Sequence, residues 1–309
     1  MDSPDDRTAS LMTPAKLARV AEGSGVPAAS AFLDRMAADI GHQHVQRLAQ
    51  LRLQLETQSD GRLDQAAEIQ AVLQRMLDAL TQIDFAPLQV RNWWADLTGK
   101  NRGTGSAFAA VFDKVDEIAR ELTSAVSAQQ RQQAQAAAAQ DRTMVDVDVE
   151  YQALDRVIHQ GARWLQDMRN QVRARQAETG GAAQDVSDDE ARCELLVERL
   201  KVLRAAAAAS QVAQEEVVAV AARRGEVAHA MDRLSTVYLQ AWRSSLSALA
   251  TAAVSGKVPA PMLDEATKVQ GKLRKKIDAL LEDAVQLSTH ESALVRQLAA
   301  MGEQLAAVG

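Results

Sequence analysis

Between about Asp188 and Ser255 the chain keeps a single seam. Leu196, Leu200, Leu203, Ala207, Ser210, Gln214, Val217 and Ala221 follow one another at alternating steps of four and three residues. A helix turns once every 3.6 residues, so these positions share one side of it; sustained over several heptads, the pattern is the one by which long helices lie against each other. Unbroken, the stretch of about 68 residues at roughly 1.5 Å each would reach on the order of 100 Å, more than the width of a compact domain. The middle of the seam is small or polar, which weakens packing but fixes register and lets backbones approach. A coiled-coil hairpin or bundle fits this better than a strong free-standing zipper.

Composition points the same way. Apolar residues make up 47% of the 309, but alanine supplies much of that, and Phe, Trp and Tyr together reach only 3%, too little bulk for a thick core. Glycine (15) and proline (6) are scarce, and no block alternates apolar and polar residues as a half-buried strand would. The expected fold class is all-α, an elongated helical bundle with long antiparallel coiled-coil arms.

Along the chain, residues 1–27 read as a flexible segment, 28–98 as an N-terminal helical part and 99–309 as a long-helix coiled-coil bundle. The first helical pattern starts at Ala28 and breaks at "SDG", residues 59–61. Ile69, Leu73, Met76, Leu80 and Ile83 form the next seam, closed by "DFAPL". Ser106 then reads as the N-cap of a helix carrying Phe108, Val111, Val115, Ile118 and Leu122. The tract "SAQQRQQAQAAAAQDR" prolongs it at high helix propensity without large seam residues, and so reads as a helix wetted on most sides. A further helix covers roughly Asp146 to Gln176 and stops at "ETGGAAQDVSDD". "SGKVPAPM", residues 255–262, is the last breaker before a final helix with Val269, Leu273, Ile277, Leu280 and Leu287.

The net charge of −6 argues against a protein that coats nucleic acid, which needs a concentrated positive face, and no specific nucleic-acid binding is expected. No run of about 18 apolar residues spans a bilayer, and the acidic start leads into no apolar signal core, so a cytoplasmic location is expected. One cysteine, Cys193, excludes an internal disulfide and a multi-thiolate metal site. His42 and His44, two residues apart on a helix, point in nearly opposite directions and cannot converge on one ion.

The run "NWWADLTGKNRGTGSAFAAVF", residues 92–112, invites a phosphate-loop reading and fails it: no strand precedes, and no lysine stands between the last glycine and Ser106. A looser anion nest, with Lys100 and Arg102 beside free helix amides, is one reading; a joint packed by Trp93 and Trp94 is the plainer one. No nucleophile elbow, dinucleotide fingerprint or paired catalytic carboxylate occurs, so no enzymatic activity, cofactor or small-molecule substrate is expected. "KVQGKLRKKIDAL" gathers Lys268, Lys272, Arg274, Lys275 and Lys276 around an apolar stripe, as a face for an anionic surface or as solvated charge.

Residues 199–249, "RLKVLRAAAAASQVAQEEVVAVAARRGEVAHAMDRLSTVYLQAWRSSLSAL", resemble the toxic anion resistance family, the TelA-like proteins linked to tellurite resistance. Leu200, Leu203, Arg204, Gln214, Thr236, Trp242 and Arg243 occupy the places of that family's motif. Where the family commonly has Ile-Pro-Leu before its tryptophan, this chain has "VYLQAW". "IGHQHVQRLAQ", "LTGKNRGTGSAFAAVFDKVDEIARELTSA" and "YQALDRVIHQGARWL" are similar to further family helices in the same order, with Trp93 and Trp94 at the joint between the first helices and the arms. The resemblance implies a non-enzymatic role in tolerance to tellurite or envelope stress, through protein partners, self-association or peripheral contact with the inner membrane. A coiled-coil scaffold or filament-forming accessory protein is the alternative expectation.

Overall fold

The computed structural model describes residues 39–89, 100–179 and 184–308, and every long element in it is a helix. They are α1 (His42–Thr81), the short α2 (Ala86–Gln89), α3 (Lys100–Thr179), α4 (Gln184–Arg233), a π-turn (Leu234–Tyr238), α5 (Leu239–Val254) and α6 (Ala260–Ala306). No strand occurs among the described residues. The chain is an all-α helical bundle, as its seams and its poverty in aromatic residues require.

Two compact units divide the chain, each drawn from separated stretches: unit 1 from Met1–Leu53, Met144–Gln214 and Gln297–Gly309, unit 2 from Gln54–Thr143 and Glu215–Arg296. The sequence division at residues 98 and 99 falls outside the described residues, as do the segment 1–27 and the helix start at Ala28.

In unit 1, α1 runs against α3: His44 Nδ1 lies 2.8 Å from Glu150 and Arg47 3.7 Å from Asp146, so α3 positions fall as α1 positions rise. The α3–α4 pairing is likewise antiparallel, through Tyr151–Gln211, Arg169–Glu194 and Arg175–Asp189. The ring closes where Arg199 of α4 donates to the Val308 carbonyl and Arg52 of α1 to that of Leu298. Two glycines permit this packing. Gly41 holds φ at 75°, and a Cβ there would press on Leu203 and Leu154; at Gly161 it would press on Leu200 and Ile40.

Unit 2 repeats the arrangement. Gln58 meets Thr143 and Arg75 meets Glu121 across α1 and α3, while Gln130 meets Asp232 and Asp116 meets Arg243 across α3 and the α4–α5 continuation. Arg224 then meets Glu291, and Tyr238 meets Lys276, across to α6, whose Gln270 donates to the Leu80 carbonyl of α1 at 3.0 Å. Unit 2 is therefore four helical stretches that alternate in direction, the up-down-up-down arrangement, and in unit 1 α1, α3 and α4 alternate in the same way.

Several boundaries differ from the sequence expectation. α1 passes through Ser59 and Gly61 without a break, because Ser59 is buried and its hydroxyl bonds back to the Leu55 carbonyl at 2.8 Å, while one helical glycine costs only about 1 kcal/mol. Ser106 is not an N-cap. α3 is already helical at Lys100, and it runs on without the pause expected before Asp146. Of the glycines near its start, Gly105 serves packing: an added Cβ there would fall on the Ala253 carbonyl, so only glycine lets the two backbones approach, whereas Gly103 faces open space. In α4 the buried positions are Ala213 and Val220, not Gln214 and Ala221: Leu203, Ser210 and Val217 keep the seven-residue repeat, and the buried position between them moves from four residues on to three across the adjacent buried alanines Ala206 and Ala207.

The expected breaker holds. After α5, Gly256 takes φ of 77°, its N–H bonding to Ala253 O at 3.0 Å and that of Lys257 to Ala252 O at 3.1 Å, a Schellman stop. Pro259 then offers its carbonyl to the first turn of α6.

Candidate interaction face

Leu273, Ile277 and Leu280 are buried in unit 2, which turns the residues between them outward. Lys268, Lys272 and Lys275 follow at helical steps of four and three and share one side of α6; Lys276 lies next to them, and Arg274 is on the other flank. All five are exposed, and none forms an ion pair with a described residue. Lys276 is the one with an aromatic partner, its Nζ standing 5.6 Å from the centre of the Tyr238 ring, a cation–π contact worth about 0.5–1 kcal/mol at an exposed site.

Tyr238 reaches that position from the end of the π-turn. Here the Leu239 N–H bonds to Leu234 O, five residues back instead of four. The cause is local: Ser235 and Thr236 both turn their hydroxyls onto the Asp232 carbonyl, at 2.9 and 2.7 Å, and crowd the oxygen that the α-helical ladder would use. The additional residue lets Leu234 and Ser235 both be buried and sets the phase of α5, so that Leu239, Trp242, Leu246 and Leu249 face inward.

The family-motif residues scatter in role. Leu200 is buried, Arg204 exposed, and Gln214 half-buried with an Nε2 that finds no described partner; these belong to unit 1. In unit 2, Thr236 is exposed and bonds Asp232, Trp242 is fully buried with its ring 5.7 Å from that of Phe112, and Arg243 grips Asp116. Trp93 and Trp94 lie outside the described residues, and of Lys100 and Arg102 only the helical backbone is described. The structure thus brings together Lys268, Lys272, Lys275 and Lys276, and the remaining named residues form no common site with them.

Sequence reading missed two features of unit 2. Asp116 is buried and accepts from Arg243 Nε at 2.5 Å, Arg243 Nη2 at 3.2 Å and Arg120 Nη2 at 2.6 Å. Arg224 and Glu291 are both buried and joined at 2.8 Å. Their signal was their phase, since Arg224 continues the steps of Val217 and Val220, and Glu291 those of Ala284 and Leu287. Elsewhere burial pushes the Cys193 thiol above its usual range, the opposite of what a reactive thiolate needs, with Arg169 opposing the shift only in part.

Among the described residues no group of three or more His, Cys, Asp or Glu side chains is placed to hold a metal ion, and no helix is long and apolar enough to cross a membrane. No family model matches the chain, and no curated protein or solved structure proves similar to it.

Proposed function

We propose that this chain is a non-enzymatic helical protein that supports tolerance of toxic anions such as tellurite, or of envelope stress, by docking the basic face of α6 on an anionic surface. The observation that carries the docking half is the exposed row Lys268, Lys272, Lys275 and Lys276, which has no acidic partner among the described residues. Near an anionic membrane each such cation contributes about 1 kcal/mol, and an acidic protein surface would attract it by the same Coulomb term. The resemblance of residues 199–249 to the TelA-like proteins supports the stress-tolerance half. Antiparallel coiled-coil arms belong to the same reading, supported by the three- and four-residue seams of α1, α4 and α6.

Co-sedimentation tests the docking. The wild type is expected to bind vesicles containing phosphatidylserine or phosphatidylglycerol, more weakly as salt rises, and Lys272→Glu/Lys275→Glu to lose that binding with an unchanged helical circular dichroism spectrum. Binding that moves instead to an acidic protein in a pull-down selects the protein partner, and binding unaltered by the charge reversal removes the face. Tellurite sensitivity of a strain lacking the chain tests the stress role separately.

A further inference from the structure

All four helices of unit 2 send polar side chains to one level of the bundle. Gln58 of α1 donates to the Thr143 hydroxyl of α3 at 3.1 Å, and beside it Ser59 is buried. One turn away on α3, Gln140 accepts from Arg224 Nη1 of α4 at 3.4 Å, and Arg224 Nε donates to Glu291 Oε1 of α6. Ion pairing is not the same as satisfaction: Gln58 Oε1, Arg224 Nη2 and Glu291 Oε2 are buried and have no hydrogen-bond partner. Each has given up water without a full return, and regains it if the level opens.

A second observation concerns α3 alone. Between Val126 and Gln140 it buries no residue at all, where the rest of its unit 2 stretch anchors Phe108, Phe112, Val115, Ala119 and Leu122 in the core. Through this tract α3 is tied to its neighbours by polar contacts: Gln130 to Asp232, Gln140 to Arg224, Thr143 to Gln58. Such contacts contribute little net free energy, because water replaces them. The alanine- and glutamine-rich sequence of the tract also keeps its helical form without tertiary support better than most.

We propose that residues 127–143 of α3 form a strap that lifts from unit 2 as a helix, uncovering Arg224 and Glu291, while the aromatic body around Phe112 and Trp242 stays closed. The gate is opened by hydration of the charged level and held shut by a few hydrogen bonds, so its opening free energy lies well below that of global unfolding.

Thiol labelling reads this opening whether or not the strap remains helical. In a Cys193→Ser background, Thr143→Cys places a thiol in the polar level, and Ala119→Cys places one in the body on the same helix, both at buried sites. Under native conditions Thr143→Cys is expected to react at least about 10-fold faster with a disulfide reagent. Adding Gln140→Leu, Arg224→Met and Glu291→Leu together, which exchanges the charged level for an apolar one, is expected to slow Thr143→Cys to the rate of Ala119→Cys. Equal rates at the two sites would overturn the proposal, and so would a fast Thr143→Cys that the apolar level leaves unchanged.

Discussion

Unit 2 holds two buried carboxylates gripped by arginine, and they are not alike. Asp116 has both oxygens engaged, by Arg243 and Arg120, and Arg243 itself keeps 26% of its side chain in contact with solvent. Glu291 has one oxygen engaged, and its arginine is sunk with it, at 8% exposure. The first pair sits in the aromatic half of the unit, near the ring contact of Phe112 and Trp242; the second faces the tract of α3 that buries nothing. The contrast separates depth from strength: a buried acid is secure when all its lone pairs are filled and its partner stays partly hydrated, and a liability when charge and counter-charge are both dried and incompletely bonded.

Three arginine deletions grade this contrast. Arg224→Met strands Glu291 as an unpaired buried charge, and urea unfolding is expected to show a loss of about 3–5 kcal/mol. Arg243→Met leaves Asp116 with Arg120, and the same measurement is expected to give about 1.5–3 kcal/mol, the range for a hydrogen bond to a charged group. A loss as large as that of Arg224→Met would mean that Arg120 contributes nothing and the two pairs are equivalent. Arg75→Met removes the exposed pair with Glu121 and is expected to cost between 0 and about 1 kcal/mol, disappearing in high salt. Should it cost more than Arg243→Met, burial is not what ranks these pairs.

Much of the bundle was legible in the residues. The seams Ile69–Leu73–Met76–Leu80–Ile83 and Leu273–Ile277–Leu280–Leu287 are buried as their spacing requires, and the tract after Val126 is as wet as its composition demands. Punctuation was less readable. A lone glycine or serine is a stop only where its surroundings permit one; Gly61, Gly105 and Ser106 lie inside helices, and at Gly105 the close approach of the Ala253 backbone is what the glycine serves. The seam was misplaced between Ser210 and Ala221 because alanines are too small to mark the face: Ser210 and Val217 are buried as expected, but the position between lies at Ala213, three residues on and not four. Of the candidate face, the cluster and its exposure could be read from spacing. The Tyr238 contact could not, because it depends on a change of helical pitch that two side-chain hydroxyls and one carbonyl decide among themselves.

That change of pitch is how the segment Leu234–Tyr238 absorbs one surplus residue, and loss of a single codon there would leave α5 facing as it does. Straightening it into an uninterrupted α-helix with every residue kept would rotate everything downstream by about 100°. Trp242 would swing away from Phe112 and Arg243 from Asp116. A wall of the bundle is thus aimed by the widened turn that takes up one surplus amino acid, and its orientation rests on that turn's chemistry more than on residue count.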